Sequence, residues 1–143
     1  LNPHLDYSIH PKLGLQRKIN LIIYISKNFK SNYGGHLGLW SNDRLSNQPA
    51  NLIKEIVPSF NKAIIFDTTQ NSWHGMTTKL KQPNGIYRKS LAIYYLCKPQ
   101  RNVISRQRAL FAPREDQKNN KNVQKLIKLR SNLKKSHLAY FKK

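Results

Sequence analysis

Four short runs of β-branched and aromatic residues, each bounded by glycine, proline or asparagine, constrain this chain more than any other feature. Residues 19–26 (INLIIYIS) are apolar on both faces, which suits a strand buried inside a sandwich or barrel. Residues 35–40 (GHLGLW) alternate and follow the turn-prone Asn32-Tyr33-Gly34-Gly35, predicting a second strand. Residues 63–67 (AIIFD) predict a third. The longest candidate, residues 86–96 (IYRKSLAIYYL), is entered through the turn signal Pro83-Asn84-Gly85. Residues 52–57 fit either a short helix or a strand, and Pro58 stops them. Strands this short and closely spaced, with no internal repeat, predict an all-β sandwich or barrel rather than repeated strand-helix-strand units.

The pattern changes at Lys98. Residues 1–97 are expected to form the β core and residues 98–143 a basic extension, helical from about residue 121. In that extension Val123, Leu126, Ile127, Leu133 and Leu138 recur near helical spacing as far as Phe141, and this stripe is expected to pack on the outside of the sheet. The extension also carries nine Lys and five Arg against Glu115 and Asp116 alone. Over the 143 residues 26 Lys and Arg face 6 Asp and Glu, a net charge of +20, which favours a polyanion such as nucleic acid or an anionic membrane surface. A bias toward Lys and Asn, as in Asn119-Asn120, produces the same surface without any ligand. The single cysteine, Cys97, excludes an intrachain disulfide framework and a paired-cysteine metal site, so a reducing, cytoplasmic setting is expected. No transmembrane segment is predicted, because the longest apolar run, residues 21–25, falls far short of the ~20 residues that span a bilayer.

Chemistry concentrates in three places. His4 and Asp6 are separated by one residue, and an extended chain projects both side chains to one face. With a second histidine from a distant strand they would make the two-histidine, one-carboxylate facial set that holds non-haem Fe(II) and leaves three coordination positions open. His74 in Asn-Ser-Trp-His-Gly-Met follows an apolar strand, and the glycine after it permits close backbone approach. Arg88 is fourteen residues further on. With period two it shares a face with Ser90, Ala92 and Tyr94, where a guanidinium fork suits a carboxylate and Ser90 adds a hydroxyl donor. Asn20, Ile22 and Tyr24 likewise form one face of their strand. His10 and His36 are expected to be ordinary polar residues, since His36 has no carboxylate one or two positions away and His10 precedes Pro11 in a loop.

The ordered set of His-x-Asp, an apolar strand ending in Tyr, Tyr-Gly-Gly-His-Leu, Trp-His-Gly and Arg-x-Ser resembles the Fe(II)/2-oxoglutarate-dependent dioxygenases, in their prolyl 4-hydroxylase-like branch. The resemblance runs from Asn2 to Leu96. It implies a double-stranded β-helix, or jelly roll. The strand and helices that precede His-x-Asp in the family have no counterpart before residue 4, so a core without its N-terminal part is expected. By the same resemblance His4, Asp6 and His74 would ligate iron, and Arg88 would bind the distal carboxylate of 2-oxoglutarate. Tyr24 would donate its phenol to that carboxylate, and Leu37 would line the co-substrate pocket.

Such a protein would hydroxylate a C–H bond, of a prolyl residue in a peptide or protein or of a small molecule. Molecular oxygen would be consumed, 2-oxoglutarate decarboxylated to succinate, and ascorbate would serve as a supporting reductant. The rival expectation is a non-catalytic basic jelly-roll module that binds nucleic acid or another polyanion. Fe(II) binding with succinate formation favours the enzyme; salt-sensitive polyanion binding with neither favours the module.

Overall fold

Alternation along one strand sets the architecture. The computed structural model describes residues 2–68 and 71–140, and in it β2 (Gln16–Tyr24) pairs antiparallel with β5 (Lys62–Asp67) and with β7 (Ser90–Cys97). Asn20 and Tyr24 point inward and are buried; Leu21 and Ile23 point outward, opposite Ile65 and Ile93 and opposite Ala63 and Leu91. The outer face of this three-stranded sheet is therefore apolar, and Ile65, Leu91, Ile93 and Tyr95 on it remain exposed.

The second sheet has five antiparallel strands. Its order is β4 (Gln48–Ile56), β3 (Leu37–Asp43), β6 (Trp73–Met76), β1 (His4–Leu5) and β8 (Leu110–Phe111). His4 and His74 are register partners across β1 and β6, so their side chains lie on the same face. The neighbours Leu5 and Trp73 turn to the opposite face, where with Ala112 they form the core, flanked by Trp40 and Leu110. The Trp73 indole N–H donates to Asn42 Oδ1 at 2.8 Å, so this fully buried ring has no unpaired donor. Its removal would cost about 3–5 kcal/mol. The core thus backs directly onto the two histidines. Two antiparallel sheets make the protein the mainly β jelly roll expected from its sequence.

Of the ambiguous residues 52–57, all but Val57 lie within β4, hairpinned to β3, so the strand alternative holds. Residues 86–89 depart from expectation because β7 begins only at Ser90. Tyr24 opposite Ser90 is the last pair of the ladder, and upstream the Ile86 amide donates to Pro83 O in a turn. The helix also ends early. In α1 (Lys121–Ser131) Asn120 caps the amides of Asn122 and Val123, whereas Asn132 takes extended backbone and its side chain accepts from the amides of Lys134 and Lys135. That local competition stops the helix and starts a 3-10 turn at Ser136–Ala139. Phe141, the expected end, lies outside the described residues.

The leucine stripe does not cover the sheet. Helix α1 packs beside β8 at the edge of the five-stranded sheet, and Leu133 and Leu138 are exposed. The segment leading to it is tied to the N-terminal strand instead. Ser8 Oγ donates to Ile104 O at 2.6 Å, Arg106 Nε donates to the Asp6 carbonyl at 2.9 Å, and the Ala112 amide donates to Pro3 O at 2.8 Å. Among the described residues no helix is long and apolar enough to cross a membrane.

Candidate metal centre

The pairing of β1 with β6 is close because residue 75 is glycine. A Cβ there would lie 2.6 Å from the Asn2 carbonyl oxygen, so any side chain would push the strands apart. With the strands in contact, the His4 and His74 ring centroids are 4.3 Å apart. Each imidazole donates Nδ1–H to the carbonyl two residues before it, His4 to Asn2 and His74 to Ser72, both at 2.9 Å. This fixes one tautomer in both rings and leaves the Nε2 lone pairs free to face Asp6.

Asp6 Oδ1 stands 3.7 Å from His4 Nε2, and Asp6 Oδ2 stands 3.5 Å from His74 Nε2. One ligand atom from each residue falls within 4.8 Å of the other two. Adjacent ligands each about 2.1 Å from an ion stand ~3.0 Å apart, so the three ligand atoms must draw closer together to close on an ion. Burial pushes the His4 pKa down to about 4; His74 adds to the effect and the Asp6 carboxylate opposes it. Burial also lowers the His74 pKa. Both rings are neutral at neutral pH, as ligation requires, and their contacts with Asp6 are not ion pairs. Asp6 Oδ2 is buried without a hydrogen bond, an arrangement that a cation would satisfy. The residues present therefore fit an iron ion.

One cavity of about 170 Å³ is lined by His4, Asp6 and His74 together with Leu37, Arg88 and Ser90. Arg88 reaches it from the loop before β7. Its Nε donates to the Gly35 carbonyl at 2.8 Å and its Nη2 to the Tyr24 hydroxyl at 3.2 Å. Gly35 has φ +66°, and a Cβ there would crowd Leu80 and the Arg88 side chain, which explains the paired glycines before Leu37. Tyr24 does not form part of the cavity wall; it is buried behind the guanidinium. Burial raises the Tyr24 pKa against the opposing pull of Arg88, so the phenol keeps its proton.

His10 and His36 lie elsewhere. His10 Nδ1 accepts from the amides of Lys12 and Leu13, and His36 donates Nε2–H to Ser31 O at 2.8 Å. Asn20 lies on the cavity wall and Phe111 stacks on His4 with centroids 5.4 Å apart. Sequence reasoning gave neither a role.

Arg17 is the larger omission. Its Nη1 donates to Asp6 Oδ1 at 2.8 Å, and its side chain is 4% exposed. Strict alternation with Ile19, Leu21 and Ile23 would send Arg17 outward. The structure has a bulge between Arg17 and Ile19, and the extra residue turns Arg17 to the inner face. The only signal in sequence is the Arg17-Lys18 pair opening an apolar strand, which does not announce a bulge.

The sequence model described as the 2OG-Fe(II) oxygenase superfamily matches residues 1–96. A curated mouse protein named prolyl 3-hydroxylase OGFOD1 is 30% identical over 66 residues, which is 46% of this chain and 12% of the mouse protein.

Proposed function

Because the chain belongs to the 2OG-Fe(II) oxygenase superfamily, we propose that it hydroxylates a prolyl residue of a peptide or protein, with 2-oxoglutarate decarboxylated to succinate in the same turnover. One observation carries this reading: His4, Asp6 and His74 present three ligand atoms within 4.8 Å of one another, on the wall of a cavity that also holds Arg88. The name of the mouse relative supports the prolyl substrate.

Bound Fe(II) supplies oxygen activation and a coordination site for 2-oxoglutarate. His4, Asp6 and His74 hold the ion. Arg88, fixed by Gly35 and by the protonated Tyr24 behind it, presents its guanidinium to the distal carboxylate. Ser90 adds a hydroxyl donor, and Leu37 packs against the carbon chain. Phe111 and Phe66 lie against His4 and His74 and keep water from the imidazoles.

Anaerobic titration with Fe(II) and then 2-oxoglutarate tests the site through the weak visible charge-transfer band of the chelate. Admission of oxygen with a prolyl peptide should then yield succinate and a hydroxylated peptide in equal amounts. A protein that gives neither band nor succinate is not this enzyme. Succinate without peptide hydroxylation would remove the prolyl substrate alone.

A second reading adds to the first. Lys121, Lys125, Lys128 and Lys135 surround one groove along α1, a surface that suits a polyanionic partner. Binding of a short oligonucleotide that weakens steeply with salt would support it; binding indifferent to salt, or none, would not.

A further inference from the structure

We propose that Arg17 is a positioning residue for the metal centre: its guanidinium occupies one oxygen of Asp6, so that the carboxylate meets the metal through the other. The inference rests on the reading of His4, Asp6 and His74 as ligands. Asp6 Oδ1 accepts from Arg17 Nη1 at 2.8 Å, whereas Oδ2 is buried without a hydrogen bond and stands 3.5 Å from His74 Nε2. The two oxygens therefore have different surroundings before any ion arrives.

The arginine cannot easily let go. Its guanidinium lies between two rings, 3.4 Å from the Tyr94 centroid and 4.5 Å from that of Tyr7. Its backbone amide donates to Ser8 O at 2.8 Å, and Arg106 Nε holds the Asp6 carbonyl at 2.9 Å. Asp6 is thus restrained from its main chain and from its side chain. A carboxylate without such a partner can rotate, or chelate through both oxygens and fill a position that the co-substrate needs. Lysine would keep the charge, but it offers no planar fork and no flat surface to stack between Tyr7 and Tyr94.

The test is anaerobic titration of Co(II) into the full chain and into Arg17→Lys and Tyr94→Leu variants, with the visible d–d absorption read as a report on coordination. Wild type should bind one Co(II). Arg17→Lys should bind about 10–100-fold more weakly, the usual effect of losing a partner of a metal ligand, and its absorption should shift as Asp6 changes its mode of ligation. Tyr94→Leu removes a stacking surface at a half-exposed position and leaves both charges, so it should weaken binding by about 2–5-fold. A merely structural role would lower the melting temperature without moving the spectrum. Variants that melt cooperatively, bind as tightly as wild type and show its spectrum would overturn the proposal. Tight wild-type binding in that outcome would leave the ligand assignment intact. Failure of wild type to bind Co(II) at all would remove the ligand assignment, and this inference with it.

Discussion

Arg88 shows how much one side chain's surroundings decide its chemistry. Two of its donors are already engaged by Gly35 and Tyr24, which orients the rest of the fork toward the cavity. Arg88→Lys keeps the charge and loses the fork, so the concentration of 2-oxoglutarate needed for half-maximal turnover should rise by about tenfold or more while the Fe(II) requirement stays within about twofold. Equal changes in both would return Arg88 to a structural role. The histidines make a prediction for the metal-free protein. Burial holds His4 at about 4 and lowers His74 from 6.5, so the unfolded chain binds more protons than the folded one across that interval. Stability should be full above about pH 6.5 and fall as the pH drops toward 4, with His4 alone contributing on the order of 3 kcal/mol. Urea melts of metal-free protein at several pH values check this. A His4→Gln variant should show a flatter profile, and an unchanged slope would count against the buried, neutral ring.

At the scale of elements the β8 segment matters more than its length suggests. Through Ser8, Asp6 and Pro3 it holds the stretch that carries His4 and Asp6. A chain cut after Pro113 keeps these bonds and should bind Co(II) within about threefold of the full chain. A chain cut after Cys97 loses them; it should bind little metal and melt more than about 10 °C lower. Equal metal binding by the two truncations would show that the segment is dispensable to the site. The contrast also marks what is legible in sequence. His4, Asp6, His74 and Arg88 stand in motifs of fixed spacing, and the longer strands β2, β3, β5 and β7 announce themselves by alternation or by apolar runs. Arg17 stays hidden because a bulge is a property of two strands in register, visible in neither alone. The two-residue strands β1 and β8 stay hidden for a related reason: each is extended only because the other, or β6, lies beside it. The early end of α1 depends on the single Asn132 side chain choosing the amides ahead of it over continuation of the helix.

Across the whole molecule the two sheets divide the work. The five-stranded sheet carries His4 and His74, with Asp6 directly after β1, whereas the three-stranded sheet carries Tyr24 and Ser90, with Arg88 two residues before β7 begins. A molecule bound to both sets bridges the sheets as a removable staple. With a redox-inert divalent ion present, 2-oxoglutarate at about a hundred times its Kd should add about 2.7 kcal/mol of stability. Without the ion the rise in melting temperature should largely vanish. A thermal shift of the same size with and without metal would mean that the two sets of residues do not act on one molecule. The distance between the sheets then works as a gauge of length. A 2-oxo diacid one methylene shorter than 2-oxoglutarate should then bind more weakly in the presence of the ion and give a smaller rise in melting temperature at the same concentration.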